Sequence, residues 1–322
     1  MNKQPLLRSI TTRLTPWINR SMHLKNENIS TPQETNDLIS QLLVSRQPTL
    51  VSRLGSTEAH SCIPYFSSRN RHLFLRTKYL LGMTPDFVPA VSDAATLHEL
   101  HSSSGVFPET EREYDSFCQA YIQSMKHIDV LGSWLSVENY YGQFLGMSTK
   151  VHLTHLNPLL HPVNSWTRHL TSRKVLIIHP FKASIEYQLR RRDRVFSDAS
   201  LIPDADFSFL VPPQAYGGTS TWGSSWSENL ENMKNAVNTI EFDAAILGCG
   251  AYGLPLGAHI RKIGKQAIHI GGDLQLLFGI MGTRWEGKSW LEKVYTDHWI
   301  RPLPEDRPKH FNKGERGQTP YW

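Results

Sequence analysis

The chain has 322 residues, of which 39% are hydrophobic, so it is long enough to bury one large core or two modest ones. Its formal charge of +5 suits anionic ligands but is too small and diffuse for a dedicated nucleic-acid-binding protein. No apolar run reaches the length of a transmembrane helix, and three scattered cysteines exclude a disulfide framework and favour a reducing, cytoplasmic location.

The first 30 residues are predicted to form a basic amphipathic segment apart from the main domain. Residues 1–26 contain no acidic side chain, and apolar residues recur on one side at helical spacing. A helix of this kind rests on an anionic membrane surface, which predicts peripheral membrane contact. Two alternatives remain open: a helix docked on the core, and an organellar presequence, since presequences are also rich in Arg and Ser and poor in acids.

The main domain is predicted to cover residues 31–287, where short apolar runs alternate with helical patterns. Ser30, Thr31 and Pro32 supply a cap and a first turn for the first helix. The predicted strands are 49–54, 129–135, 175–178, 244–247 and 266–270, and the predicted helices are 31–44, 56–65, 108–126, 182–196, 225–237, 254–263 and 274–278. This alternation predicts an α/β fold with a mostly parallel, Rossmann-like sheet and flanking helices. Residues 288–322 lose the periodicity and are predicted to pack on the domain as a tail or to remain mobile.

A glycine motif follows the predicted strand 244–247. Gly248, Gly250 and Gly253 match G-x-G-x-x-G, and Asp273 follows by twenty residues. Such a turn presents backbone N–H groups to a phosphate, and the acid of a nicotinamide enzyme holds a ribose hydroxyl. Rossmann motifs usually open a domain, however, whereas roughly three-quarters of this chain precedes the motif. A phosphate-bearing ligand is therefore predicted, with a dinucleotide as one alternative.

A second polar cluster follows the predicted strand 49–54. Arg53 ends the strand, Gly55 makes a turn, and Glu58 lies in the first turn of the next helix. Arginine clamps phosphate in a bidentate manner, and a carboxylate accepts a proton, holds a ribose hydroxyl or helps to bind a metal. The alternative is an Arg53–Glu58 ion pair that only ties the loop down. Because ligands bind at the carboxyl edge of parallel sheets, both glycine loops are expected to meet over a single pocket.

Other chemistries receive less support. His179 ends the predicted strand 175–178, where it is either catalytic or a hydrogen-bonded structural residue. The arginines of 190–194 favour a solvated helix face, and His152, His155 and His161 lack the spacing of a structural zinc site. No G-x-S-x-G or P-loop motif is present, which disfavours a serine hydrolase or a kinase.

Four segments together resemble the bacterial glycosyltransferases of the GT-D fold and related proteins of surface-polysaccharide biosynthesis. They are R-x-G-x-x-E at 53–58, S-G-V-F-P-E at 104–109, H-P-F at 179–181, and a long block at 248–285. That block reads G-x-G-A-Y-G-x-P-L, then H-x-G-G-x-x-Q-L-L-F-G-I-x-G-x-R-W. The likeness spans most of residues 40–290, and the ending Tyr321-Trp322 also fits.

The resemblance implies transfer of a sugar from a nucleotide donor, typically a UDP-sugar, to a growing glycan or a lipid-linked acceptor. The founding enzymes carry Asp-x-Glu in the early loop, where it coordinates a divalent metal at the diphosphate. Here the loop is Ser56-Thr57-Glu58, so the first carboxylate is missing. One acid is a poor site for Mg²⁺ or Mn²⁺, which leaves metal dependence in doubt and no cofactor certain.

Roles follow for residues in the matched segments. The candidates for the base that takes the acceptor's proton are, in order, Glu58, Glu109 and His179. The candidate donor-binding residues are Arg53, Gly55, Gly248, Gly250, Tyr252, Gly253, Gly271, Gly272, Asp273, Gln275 and Arg284. Backbone N–H groups of the two late glycine turns, together with Arg53 or Arg284, are expected to meet the charge of the leaving diphosphate. An NAD(P)-dependent oxidoreductase and a non-catalytic glycan-assembly subunit remain alternatives.

Overall fold

A computed structural model of the chain describes residues 30–69, 94–160, 164–214, 222–307 and 321. The predicted basic segment lies outside these residues except for Ser30, as does the tail from 308 onward except for Tyr321. In the described ranges, none of the helices combines the length and the apolarity that crossing a bilayer requires.

A seven-stranded, all-parallel sheet forms the centre of the molecule, with strand order β3-β2-β1-β7-β6-β4-β5. The strands are β1 Thr49–Arg53, β2 Val130–Ser133, β3 Thr149–His152, β4 Lys174–Ile178, β5 Asp206–Leu210, β6 Ala244–Leu247 and β7 Gln266–His269. The chain runs from β1 outward to β2 and β3 and later returns on the other side, so the strand order reverses between β1 and β7. The predicted α/β fold is confirmed.

Helices connect the strands and cover both faces of the sheet. They are α1 Pro32–Ser45, α2 Ser56–Arg69, α3 Ala94–Ser104, α4 Glu111–Met125, α5 Gly142–Leu145, α6 Lys182–Leu189, α7 Arg192–Val195, α8 Trp226–Thr239, α9 Gly253–Lys262 and α10 Leu274–Leu277. Local chemistry explains several starts. Thr31 and Glu34 form a capping box on α1, and Thr110 and Ser225 cap α4 and α8 by accepting from backbone N–H groups.

Two hydrophobic cores lie on opposite faces of the sheet because successive strand residues point in opposite directions. In β4, for example, Leu176 and Ile178 join one core, and Val175 and Ile177 join the other. Helices α2, α4, α8 and α9 pack on the first face, whereas α1, α6, α10 and the segment from Trp285 to Trp299 pack on the second. The result is a three-layer, doubly wound domain.

The prediction of one continuous helix over 182–196 is wrong. Helix α6 ends at Leu189, and a separate turn, α7, begins at Arg192. At the break, the Gln188 amide donates to the carbonyl oxygens of Gly279 and His298, and Arg191 Nη2 donates to the same His298 oxygen at 2.5 Å. These tertiary contacts favour ending the helix over continuing it.

Residues 288–307 pack on the domain. Leu291 and Trp299 are buried in the second core. Asp306 accepts hydrogen bonds from the backbone N–H groups of Ala183 and Ser184, at 2.9 and 2.8 Å, and so caps the first turn of α6. The tail therefore stabilises the helix that follows β4.

Candidate functional site

A cavity of about 370 Å³ lies at the carboxyl edge of the sheet, and we call it the edge cavity. Loops that follow β1, β2, β4, β5, β6 and β7 contribute to its wall. It opens beside β1 and β7, where the strand order reverses, which is the usual ligand position in open parallel sheets.

Most of the predicted site residues line the edge cavity. They are Glu58, His179, Arg53, Gly55, Gly248, Gly250, Tyr252, Gly271, Gly272, Gln275 and Arg284. The two glycine loops, nearly two hundred positions apart in the chain, thus share one cavity. The roles assigned to these residues remain predictions.

Close packing at the strand ends explains two of the glycines. A Cβ atom at Gly248 would lie 2.7 Å from both the Gly271 carbonyl oxygen and His179 Cδ2. Gly271 has φ of +64° and would place a Cβ 3.3 Å from Arg53 Nη1. The loops after β1, β4, β6 and β7 therefore fit together only because these positions carry no side chain.

Gly250 and Tyr252 form the turn that leads into α9. Gly250 has φ of +56° and open space where a side chain would be, so its conformation requires glycine. Tyr252 is buried, its ring stacks on Trp226 at 5.3 Å, and its hydroxyl accepts from Asn229 Nδ2 at 3.3 Å. Burial also raises the pKa of Tyr252, so the phenol stays protonated. The turn is thus held rigidly beside the cavity.

Arg53 lies between a backbone oxygen and an aromatic ring. Its Nε and Nη2 donate to the Leu54 carbonyl oxygen at 3.4 Å, and its guanidinium lies 5.1 Å from the centre of the Trp134 ring. The Trp134 indole N–H donates to the same oxygen at 3.0 Å. No ion pair joins Arg53 to a carboxylate anywhere in the described ranges. Its charge is therefore not neutralised by Glu58, contrary to the ion-pair alternative.

Glu58 folds back over the turn at Gly55. Its carboxylate occupies the space that a Cβ at Gly55 would need, so a side chain there would displace the Glu58 carboxylate. The Gly55 N–H donates to the Tyr121 hydroxyl at 2.9 Å, and burial together with the Glu58 charge raises the pKa of Tyr121 well above its ordinary value. Glu58 is the only described carboxylate in the cavity wall.

Two histidines at strand ends are buried and neutral. Burial lowers the pKa of His179 to about 3, and its Nδ1 accepts from the Phe181 N–H at 3.0 Å. His269 has its Nδ1 3.0 Å from Ser52 Oγ, and burial together with the Arg53 charge lowers its pKa to about 3. With its Nδ1 lone pair used and its Nε2 protonated, His179 is poorly suited to accept a proton, so its place as third candidate base is weakened.

Three predicted residues do not line the edge cavity. The Glu109 carboxylate is 3.4 Å from His98 Nδ1 and 3.8 Å from His101 Nε2 in a half-exposed cluster outside the wall. Gly253 packs against the His269 ring and lets α9 approach β7.

Asp273 is the third of these residues. Its carboxylate accepts from Asn157 Nδ2 at 3.4 Å and from Trp285 Nε1 at 3.3 Å. Burial raises the pKa of Asp273, while Arg53 and Arg284 partly oppose the shift. Its predicted role in orienting the ligand stays a prediction, and these contacts favour a structural role instead.

Sequence reasoning missed several residues of the wall, among them Trp134, His269 and Tyr321. Trp134 and His269 end or follow strands, and that position is the signal that could have found them. Tyr321 reaches the site through tertiary contacts: its hydroxyl accepts from Arg284 Nη1 at 3.0 Å, and its ring covers Gly272.

The described part of the cavity wall offers a divalent metal a single carboxylate, that of Glu58. Mg²⁺ and Mn²⁺ prefer several oxygen ligands, usually one or two carboxylates together with substrate phosphate. Among the described residues, no group of three or more His, Cys, Asp or Glu side chains is placed to hold an ion. The described wall contains two guanidinium groups, the backbone of the glycine turns and one carboxylate.

Comparison with protein-family models, with curated proteins and with solved structures finds no match to this chain.

Proposed function

We propose that this protein is a glycosyltransferase that moves a sugar from a nucleotide-sugar donor, a UDP-sugar, to a glycan or lipid-linked acceptor. One observation carries the proposal: Arg53 and Arg284 share a cavity at the carboxyl edge with two glycine turns and, among the described residues, one carboxylate, that of Glu58. Departure of the diphosphate needs cations and backbone N–H groups, and removal of the acceptor's proton needs a base.

The diphosphate binds on the side of the cavity that carries the arginines. Guanidinium groups form bidentate, charge-assisted hydrogen bonds with phosphate oxygens. The turn at 250–252 precedes the ten-residue helix α9, whose amino-terminal end adds a favourable dipole for an anion. These groups stabilise the negative charge that grows on the leaving diphosphate, a task that a metal ion performs in other enzymes.

Glu58 acts as the general base in a direct displacement. The acceptor hydroxyl gives its proton to the Glu58 carboxylate while its oxygen bonds to the anomeric carbon. The bond from that carbon to the diphosphate oxygen breaks, and its electron pair stays on the diphosphate. Glu58 suits the role because it lines the cavity and is not paired with Arg53.

The oxidoreductase alternative loses the residue on which it depended. A ribose-binding acid must face the ligand, whereas the Asp273 carboxylate is directed to Asn157 and Trp285 outside the cavity wall. The non-catalytic alternative predicts donor binding without turnover, which the experiment below distinguishes.

We place the reaction at the cytoplasmic membrane face, on the basis of the basic segment in residues 1–30.

The test is incubation of the purified protein with a panel of nucleotide sugars, with and without EDTA. UDP binding is measured by calorimetry, and donor hydrolysis or transfer by product analysis. We expect UDP to bind and one UDP-sugar to turn over in EDTA. Failure of every nucleotide sugar to bind or react would overturn the proposal, and binding without turnover would favour the non-catalytic subunit.

A further inference from the structure

Three glutamine side chains among the described residues are almost completely buried: Gln188, Gln266 and Gln275. Each directs its amide nitrogen to two carbonyl oxygens of the backbone. Gln188 donates to Gly279 and His298, and Gln266 donates to Leu42 and Gln47. Gln275 donates to Ile280 at 3.1 Å and to Tyr321 at 3.2 Å. The three amides therefore have the same arrangement on their nitrogen side.

Their oxygen sides differ. Gln188 Oε1 accepts from Arg191 Nε at 2.8 Å, and Gln266 Oε1 accepts from Arg173 Nη2 at 2.7 Å. Gln275 Oε1 is buried with no hydrogen-bond partner in the part of the chain that the structure describes. An unpartnered buried carbonyl is costly, so native proteins nearly always supply it with a donor.

The orientation of the Gln275 amide is determined by its neighbours. Exchanging its nitrogen and oxygen would direct Oε1 at the carbonyl oxygens of Ile280 and Tyr321 and would lose both hydrogen bonds. Unlike Gln188 and Gln266, Gln275 also lines the edge cavity. A molecule bound in that cavity can therefore supply the missing donor.

The surroundings indicate which part of a ligand lies there. Arg284, also in the cavity wall, is held by the Tyr321 hydroxyl at 3.0 Å, and the Tyr321 carbonyl holds Gln275. Tyr321 thus contacts both the Arg284 guanidinium, which is a cation, and the Gln275 amide, whose oxygen has no donor among the described residues. Together they match a ligand group in which an O–H or N–H donor lies close to a phosphate.

From this comparison we infer that Gln275 is a specificity-determining residue whose amide oxygen accepts a hydrogen bond from an O–H or N–H group of the bound nucleotide sugar. The inference rests on the proposed function. Three parts of a UDP-sugar carry such a donor: the transferred sugar, the ribose and the uracil imide. A site built to receive a donor group discriminates strongly against analogues that lack it.

The experiment combines protein variants with ligand analogues. Gln275→Met removes the amide at similar size, and Gln188→Met removes a matched amide that does not line the cavity. Binding is measured by calorimetry for UDP-glucose, its deoxyfluoro-sugar analogues, its 2′-deoxyribose and 3′-deoxyribose analogues, and its N3-methyluracil analogue. We expect Gln275→Met to weaken the binding of UDP-glucose about tenfold. One analogue lacks the O–H or N–H group that the Gln275 oxygen contacts, and its affinity is expected to be the same for Gln275→Met and the wild type. That analogue identifies which group of the nucleotide sugar donates to Gln275.

Other outcomes overturn the inference. If Gln275→Met weakens every analogue by the same factor, or weakens UDP-glucose no more than Gln188→Met does, the amide is structural or binds a water. If Gln275→Met does not fold, Gln275→Asn, which keeps the amide but withdraws its oxygen, gives the same comparison. Failure of the wild-type protein to bind any UDP ligand overturns the proposed function as well. If the wild type binds UDP-glucose and Gln275→Met lowers the affinity of all analogues by the same factor, only the role of Gln275 is overturned.

Discussion

Arg53 is the residue on which nucleotide affinity is expected to depend most strongly. Its guanidinium lies 5.1 Å from the centre of the Trp134 ring and forms no ion pair with a carboxylate among the described residues. Hydrogen bonds to charged groups contribute about 1.5–3 kcal/mol each. We therefore predict that Arg53→Gln weakens UDP binding about tenfold to a hundredfold in calorimetry. Arg190→Gln, an exposed arginine outside the cavity wall, serves as the control and is expected to bind UDP normally.

Glu58 and Glu109 allow the two candidate bases to be separated. Only Glu58 lines the edge cavity, while Glu109 contacts His98 and His101 outside it. Since general bases contribute about 10²–10⁴-fold to rate, Glu58→Gln is predicted to lower kcat by that factor and to leave UDP affinity nearly unchanged. Glu109→Gln is predicted to keep wild-type kcat in the same donor-turnover assay. The reverse result would move the base to the half-exposed cluster.

At the scale of elements, the site depends on how closely the loops after β4, β6 and β7 approach each other. A methyl group at Gly248 would meet the Gly271 carbonyl oxygen at 2.7 Å, and a backbone atom cannot move aside as a side chain can. Gly248→Ala is therefore predicted to lower the free energy of unfolding by about 1–3 kcal/mol, in the range of overpacked sites, and to weaken UDP binding.

The matched control for this substitution is Gly142→Ala at the start of α5. Gly142 has φ of −51°, and a methyl group there would meet no atom within 4 Å. We expect it to leave urea denaturation unchanged or to stabilise slightly, because Ala loses less backbone entropy on folding. Equal destabilisation by both variants would contradict the account of Gly248.

The elements that were predictable from sequence are those with a one-sided or wholly buried pattern. Strand β6 was predicted at its observed bounds because all four of its residues are apolar and buried. Strand β3 was missed because, at the sheet edge, only Val151 of its four residues is buried, and α3 was missed because it buries only Leu100. Edge elements that bury little carry no periodic signal.

The same reasoning explains which parts of the site could be predicted. Arg53, Glu58 and Gly248 follow strands beside glycine turns, and sheet topology brings such positions to one edge. The contact between Tyr321 and Arg284 spans thirty-seven positions and depends on how the tail packs, which no local pattern encodes. Asp273 was assigned to the ligand because spacing gives the position of a side chain along the chain but not its direction.

For the whole molecule, the two buried histidines make stability depend on pH. The pKa values of His179 and His269 are about 3 in the folded protein, against an ordinary value of about 6.5 in the unfolded chain. Between these values the unfolded state binds more protons, so the free energy of unfolding falls as pH falls. His127 and His259, whose pKa values burial also lowers, act with the same sign. The buried Asp273 and Asp306, whose pKa values are raised, act with the opposite sign.

The expected loss between pH 7 and pH 5 is about 2 kcal/mol for each of His179 and His269. Urea denaturation at pH 7, 6 and 5 measures it. His269→Gln lowers stability at pH 7 because it disturbs the contact with Ser52, but it is predicted to reduce the loss between pH 7 and pH 5 by about 2 kcal/mol, since one titrating group is gone. His152→Gln, which replaces an exposed histidine, is predicted to keep the wild-type pH dependence. A His269→Gln profile parallel to that of the wild type would mean that the pKa of His269 is the same in the folded and the unfolded protein, and that burial and the charge of Arg53 do not lower it.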